Sequence, residues 1–432
     1  MDKRIIPKTM SISAKYTYDR ERIDISCPHC KSNDWEKLNI RPPITDSFIS
    51  ICKSCGFISY NPQLPNIVSH YSNDIRPQSF DFMNTKINKL AKHRKLIFKY
   101  LKDNKIKPQS VLDYGCSDGY LLEALKSEYK GLKEYGIELN PGHANYAKYY
   151  KGLNVTTSVS LDLDDTYDIA VLYHVLEHLQ EPDKIIDKLR GLLTDNGLLY
   201  LAVPTLHKII AQYKGRMQMF PEDHINMFTP DTLQNFIEHL GFEKVFEDNI
   251  LYGTTMIFRK SENKAKVKSY YEPVKEALQQ LDKAFRYTEE MEKTNNPGKL
   301  KALAKKGLEE FLLFPDLVIK YAAFHDSLDE QDILEEYIEK SKDDKGNVQL
   351  PELYIPLAIS HLKEQDYNKA QQMIDKNKQL VGDSPKTREI ELEILHRTGN
   401  VVKYIEGCKR FINESPWILN TYGNLFAYLT KL

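Results

Sequence analysis

At 432 residues the chain is long enough for two to four domains of about 100–200 residues each. With 41% apolar and 28% charged residues it can fill a sizeable core, and 60 Lys/Arg against 61 Asp/Glu leave a net charge of −1. These figures exclude a globally basic nucleic-acid binder, an acidic disordered chain and a disulfide scaffold. No apolar run approaches the roughly 18 residues of a spanning helix, and Met1 to Arg20 carries no apolar core of a secretory signal. The expectation is a soluble, cytoplasmic, multidomain protein without membrane contact.

The neutral total hides an uneven distribution. Residues 1–110 hold 20 basic and 10 acidic side chains, residues 111–260 hold 14 and 22, and residues 261–432 hold 26 and 29. The local charges are therefore +10, −8 and −3, and changes in residue pattern fall at the same places. The expected organisation is a module over 1–80, an α/β domain over 81–260 and a helical domain over 261–432.

In the first module, Cys27-Pro28-His29-Cys30 and Cys52-Lys53-Ser54-Cys55-Gly56 form two Cys-x-x-Cys pairs. Each pair puts two thiolates on one tight turn, and two turns together complete a four-sulfur shell suited to zinc. Gly56 frees the backbone to curl around the metal. Cys27, Cys30, Cys52 and Cys55 are thus read as a structural zinc ribbon, with two redox or incidental cysteine pairs as the alternative. A closed four-cysteine site has no open position for catalysis. His29 is read as a solvated loop residue.

The middle segment alternates between the two periods. Val111 to Tyr114 reads as a buried strand entering a glycine-marked turn, and Asp118 to Tyr129 as a helix. A strand at Glu134–Leu139 and a helix at Pro141–Tyr150 follow. Further strands are expected at Val155–Val159, Tyr167–Tyr173, Gly197–Val203, Phe242–Asn249 and Tyr252–Phe258, with helices at Asp183–Leu193 and Asp231–Leu240. Such alternation means a doubly wound, Rossmann-like, mostly parallel sheet that binds ligands at the carboxyl ends of its strands.

The turn is Gly-x-Ser-x-Gly rather than Gly-x-Gly-x-x-Gly, so NAD is not its natural ligand. Asp113 before the turn, glycines at 115 and 119, and Glu138 after strand two form a more specific ordered set. On these residues the chain resembles the class I S-adenosylmethionine-dependent methyltransferases over about residues 85–260. The resemblance implies that Asp113, Gly115, Ser117 and Gly119 cradle the methionine part and that Glu138 holds the ribose. It places the adenine contact in the stretch Ser158 to Leu163. Tyr173, at the end of strand four, is added to the cofactor group. Tyr173, Tyr213 and Phe220 lie around the entry to the acceptor pocket, with ordinary packing as the competing reading, and Cys116 is read as a packing residue.

After strand four comes His174-Val175-Leu176-Glu177-His178. On a helix, His174, Glu177 and His178 would share one face beside the cofactor. Pro221-Glu222-Asp223-His224 can add a fourth group. One reading makes His224 or His178 a general base oriented by Glu177. The other has His174, Glu177, His178 and His224 hold a second divalent cation as a Lewis acid. The latter resembles small-RNA 2′-O-methyltransferases and ubiquinone O-methyltransferases, whose segment reads Glu-x-x-Glu-His. A histidine at its first position disfavours magnesium. The base reading resembles zinc-containing sugar methyltransferases, in which a Glu-His pair follows strand five. A merely structural cluster is the third possibility. His70, His207, His325 and His396 are read as ordinary surface or core histidines.

In the last third, Pro315, Pro351, Pro385 and Pro416 recur at spacings near 34 residues. The unit from Pro351, with Tyr354, Leu357, Ala358, Tyr367, Ala370 and Ile374, resembles a tetratricopeptide repeat. The competing reading is a helical bundle that caps the domain before it. The whole reads as a methyltransferase whose small-molecule acceptor is a hydroxyl of a sugar, nucleotide-sugar or other biosynthetic intermediate. The repeats would provide a surface for a protein partner. Two alternatives are an RNA 2′-O-methyltransferase using the basic N-terminal region, and a non-catalytic adaptor on a degenerate core.

Overall fold

The computed structural model describes residues 22–40, 47–63, 95–206, 223–248, 253–294, 296–311, 331–342, 346, 348 and 351–414. Tyr213, Phe220, Glu222, His70, His207, His325, Pro315 and Pro416 lie outside them, as does the expected boundary near residue 80.

The cysteine module is a small antiparallel sheet, β1 (Trp35–Leu38), β2 (Phe48–Cys52) and β3 (Ile58–Asn61), whose last strand also pairs with β9 (Asn226–Met227) from later in the chain. The central domain is built on a seven-stranded sheet. In chain order its strands are β4 (Ser110–Tyr114), β5 (Lys133–Ile137), β6 (Val155–Thr156), β7 (Tyr167–Tyr173), β8 (Leu193–Val203), β10 (Phe242–Asp248) and β11 (Thr254–Lys260). In space they run β10-β11-β8-β7-β4-β5-β6. Strands β4 to β8 are parallel, whereas β11 is antiparallel to both β8 and β10. Helices α1 (Tyr120–Glu128), α2 (Pro141–Asn145, continued by a π turn at Tyr146–Tyr150) and α3 (Pro182–Leu192) follow β4, β5 and β7. The order reverses between β4 and β7, which opens a crevice at their carboxyl ends. The chain enters and leaves that crevice through the segments expected to carry function.

Helix α4 (Pro230–His239) begins with Thr229 accepting from the Thr232 N–H at 3.2 Å and Pro230 in the first turn. Its Leu233, Phe236 and Ile237 share one face, and there they meet the cysteine module. Phe57 sits edge-on to Phe228 at 5.6 Å and tilted to Phe236 at 5.6 Å. Cys27, Cys52 and Cys55 belong to the same buried cluster as the sheet residues Leu172, Leu199 and Met256. The module therefore shares a core with the sheet.

The other face of the module packs on the helices that follow. Ile49, Ile51, Ile58 and Tyr60 are buried with Val274, Leu278 and Leu281 of α5 (Tyr271–Glu292). The Tyr270 N–H donates to the Cys55 carbonyl at 3.1 Å, and Glu36 accepts from Tyr271 Oη and from Lys275 Nζ. A Cβ on Gly56, at φ +80°, would lie 2.5 Å from the Tyr270 backbone, so glycine is required by conformation and space alike.

Six further helices are described: α6 (Pro297–Glu310), α7 (Gln331–Lys340), α8 (Tyr354–Lys363), α9 (Tyr367–Val381), α10 (Pro385–Arg397) and α11 (Val401–Glu414). Ala358 and Ala370 are fully buried where α8 and α9 pack together. Pro385 opens α10 behind a Ser384 cap. None of the described helices is long and apolar enough to cross a membrane.

Because Phe57 is fully buried between the module and α4, Phe57→Ala should lower unfolding stability by about 3–5 kcal/mol. Denaturant unfolding checks this; a loss below about 1 kcal/mol would mean that the module does not share the core.

Candidate functional site

The carboxyl ends of β4 and β5 form a backbone cradle. Gly115, Ser117 and Gly119 take φ values of 84°, 50° and 70°, and the Gly115 and Cys116 N–H groups donate to the Ile137 carbonyl at 2.7 and 3.0 Å. A Cβ on Gly115 would stand 2.4 Å from Val175 Cγ2, and one on Gly119 would stand 2.5 Å from Leu153 Cδ1. Only glycine lets the turn close against its neighbours. Cys116 is buried, and burial raises its thiol pKa, as a packing residue requires.

Glu138 accepts the Ser117 N–H on Oε2 and the Asn140 N–H on Oε1, each at 2.8 Å. A carboxylate oxygen has a second lone pair, so hydroxyls can still bind after these bonds fix the group. Asp113 is fully buried, and burial first, then the nearby Glu138, raises its pKa to about 7. Its Oδ1 has no hydrogen-bond partner among the described residues. A buried orphan acceptor at the mouth of a glycine turn fits a ligand with donor groups, as the amine end of S-adenosylmethionine provides. Asp118 and His143 close the cradle through a 2.6 Å contact. In the stretch Ser158 to Leu163, Leu161 is buried in the core while Ser160 Oγ bonds Asp162 at 2.8 Å.

The histidine segment does not form the expected helix. It makes one 3-10 turn at Leu176–His178, and His174 before it lies in the left-handed region at φ 53°. His174 still reaches Glu177, with Nδ1 3.3 Å from Oε1, but through a bend rather than along a helix face. The groups that converge within 4.8 Å of one another are Glu177, His178 and His224. His178 Nδ1 donates to the Asp223 carbonyl at 2.7 Å, and its Nε2 lies 3.8 Å from Glu177 Oε1. The rings of His178 and His224 meet edge to face at 4.7 Å.

Burial opposes the charge on Glu177, but His174, His178 and His224 outweigh it and bring its pKa down to about 2. Burial dominates at His224 and lowers its pKa to about 4, against the opposing pull of Glu177. At neutral pH the site thus holds a buried carboxylate beside a neutral imidazole. Glu177 Oε2 has no hydrogen-bond partner among the described residues. Tyr173 stands edge-on to His174 at 4.7 Å, and burial raises its phenol pKa.

The cysteines assemble as expected. Cys27 and Cys55 sulfurs lie 3.5 Å apart, Cys30 and Cys52 sulfurs 3.4 Å, and all four fall within 4.8 Å. Zn–S bonds of about 2.3 Å in a tetrahedron require sulfurs about 3.8 Å apart, so the set fits zinc and is far too open for disulfides. His29 departs from its expected place in solvent. It is buried against Phe236 and His239, and burial lowers its pKa to about 4.

Residue spacing identified each of these clusters but not Asn226. This buried side chain donates from Nδ2 to the Leu179 carbonyl at 2.6 Å and faces the Leu176 carbonyl at 3.5 Å. A lone Asn carries no spacing signal that would have marked it.

Residues 83–246 match the methyltransferase domain family. Among similar proteins, a ubiquinone biosynthesis O-methyltransferase of Colwellia psychrerythraea is 25% identical over 162 residues, covering 33% of this chain and 64% of that protein. An (S)-tetrahydroprotoberberine N-methyltransferase of Eschscholzia californica is 28% identical over 101 residues, covering 22% and 29%. The chain thus spans less than two thirds of the length of either relative. A solved structure of the plantazolicin methyltransferase BpumL, with SAH and a monoazolic desmethylPZN analog, aligns at 12% identity with a TM-score of 0.37. It covers 42% of this chain and 88% of that one. The family match falls on the central domain and spans the cradle and the Glu177, His178 and His224 group.

The four-sulfur geometry predicts about one zinc per chain by elemental analysis, with Cys52→Ser losing both the metal and thermal stability. Metal-free protein of unchanged stability would contradict it.

Proposed function

We propose that the protein is an S-adenosylmethionine-dependent methyltransferase acting on a hydroxyl of a small biosynthetic intermediate, with structural zinc in its N-terminal module. The observation that carries the reading is the position of the Glu177, His178 and His224 group. Glu177 and His178 follow within three residues of Val175, which packs against Gly115 of the glycine cradle.

Asp113, Gly115, Ser117, Gly119 and Glu138 would hold the cofactor, with Tyr173 beside them. When bound, S-adenosylmethionine supplies an electrophilic methyl on a sulfonium sulfur. The chain's own residues must align the acceptor oxygen in line with that methyl and take one proton. His224, neutral at pH 7, would accept the proton that the acceptor hydroxyl gives up. His178, tied to the Asp223 carbonyl, orders the neighbouring ring. Glu177 carries a fixed negative charge that offsets the imidazolium as it appears. His174 positions Glu177 from the opposite side.

Relatives named as O-methyltransferases support an oxygen acceptor. The comparisons do not point to carbohydrate, so sugars and nucleotide-sugars stand as one group among small hydroxyl acceptors. The zinc fits as a closed structural site. The packed helices α8 and α9 support a repeat-like arrangement, which would offer a protein partner a surface.

A second reading has one specific observation in its favour. Glu177, His178 and His224 offer three ligand atoms within 4.8 Å, and Glu177 Oε2 has no hydrogen-bond partner among the described residues. A divalent cation held there would polarise the acceptor hydroxyl. Two imidazoles and a carboxylate suit zinc, iron or manganese better than magnesium.

In the base reading, His224→Ala lowers turnover on the acceptor by about 10²–10⁴ while S-adenosylmethionine affinity stays within about twofold. Equal loss of cofactor binding would contradict the role. Because burial lowers the His224 pKa, its base form persists as pH falls below the usual histidine range and is lost only near about 4. The acid limb of kcat/KM therefore lies near that value, and a limb at about 6.5 would remove His224 as the base.

A further inference from the structure

The three groups of the transfer site come from two segments about 45 residues apart in sequence, the turn at Leu176–His178 and the stretch around His224. Between them lies Asn226, and behind Asn226 lies the cysteine module. Strand β3 pairs antiparallel with Asn226–Met227, placing Ile58 opposite Met227 and Ser59 opposite Asn226. The Tyr60 N–H and Ser59 Oγ both donate to the Ile225 carbonyl, at 2.9 and 2.8 Å, immediately after His224. Ser59 Oγ also lies 3.3 Å from Asn226 Oδ1 and accepts from Gln63 Nε2 at 2.9 Å. On its other side Asn226 Nδ2 donates to the carbonyl of Leu179, the residue that ends the His178 turn. Ser59, Gln63 and Asn226 are all buried.

We propose that Asn226 is a positioning residue of the transfer site, and that the cysteine module, through Ser59, sets the distance between the Glu177–His178 turn and His224. The Leu179 carbonyl would be expensive to leave unpaired in this core, and the Asn226 amide donates to it. The module fixes the backbone around Asn226 through the pairing of Ser59 with Asn226 and through the bonds from Ser59 Oγ and the Tyr60 N–H to the Ile225 carbonyl, so the amide carries the module's position to the turn. His178 Nδ1 and the Asp223 carbonyl join the two segments directly, and this bond keeps its length while that span holds. The module thereby has a reason to be stitched into the catalytic domain instead of tethered to it. Misplacement of a reacting group by about 1 Å costs on the order of 10²-fold in rate, so a rigid spacer has a large lever.

This inference rests on the transfer-site reading of Glu177, His178 and His224, so its test avoids turnover. The full-length zinc-loaded chain is treated with diethyl pyrocarbonate at neutral pH, and acylation of each histidine is followed by mass spectrometry. Asn226→Asp keeps the shape of the side chain but turns its donor end into an acceptor facing the Leu179 carbonyl. It should raise the acylation rates of His178 and His224 by about fivefold or more, with Ser59→Ala giving a smaller rise in the same two residues. The exposed His396 should react at the native rate, and zinc content and S-adenosylmethionine affinity should match the native chain. Histidine rates within about twofold of native in both variants would overturn the proposal. So would a parallel loss of cofactor affinity or zinc, which would make Asn226 a general prop of the fold. Failure of the native chain to bind S-adenosylmethionine would count against the transfer-site reading instead.

Discussion

Two residues of backbone pairing, Ile58 with Met227 and Ser59 with Asn226, join the cysteine module to the segment that carries His224. Around this short seam the aromatic rings of Phe57, Phe228 and Phe236 exclude water, so the pairing occurs in a low-dielectric setting where each hydrogen bond is costly to break. On the far side, Phe228 continues the same backbone connection to the end of β8, where its carbonyl accepts the Leu206 N–H at 2.9 Å. The His224 segment is therefore clamped between the metal-type module and the central strands of the sheet. If the seam opened, the sheet and its glycine cradle would persist, but the histidine pair would lose its geometry.

The charge distribution has the same logic. A basic N-terminal third and an acidic middle give a net charge of −1, and the structure shows them in contact. Lys31 of the first knuckle pairs with Asp183 of α3. Such exposed pairs add little stability, so the seam depends on burial while charge assists the approach of the two surfaces. The module also binds the first long helix of the C-terminal region through Glu36, Tyr271 and Lys275. One small sheet thus serves as the joint for both of its neighbours.

What could be read from the sequence was local in origin. Cys-x-x-Cys spacing, the Asp113 to Gly119 turn, Glu138 after strand two and the alternation of periods each reflect residues close in the chain. The expected strand Tyr167–Tyr173 has the bounds found, and the helices expected at Asp183–Leu193 and Asp231–Leu240 each begin one residue earlier. The misses are non-local. His174, Glu177 and His178 have helical spacing, but the chain must turn sharply off β7, and His174 takes up that turn at positive φ. His29 looked like a loop residue because its partners, Phe236 and His239, are some 200 residues away. Asn226 was invisible for the same reason. Its meaning comes from Ser59 on one side and Leu179 on the other, and no periodicity records such a meeting.

In the proposed function, a cofactor cradle and a proton-accepting group meet at one sheet edge. The most direct test is calorimetric titration of the full-length chain with S-adenosylmethionine. Binding should be saturable near one equivalent per chain and lost when Asp113→Ala removes the carboxylate beside the cradle, whose Oδ1 has no partner among the described residues. Absence of any heat of binding by the native chain would contradict it, leaving a methyltransferase fold used for something other than methyl transfer.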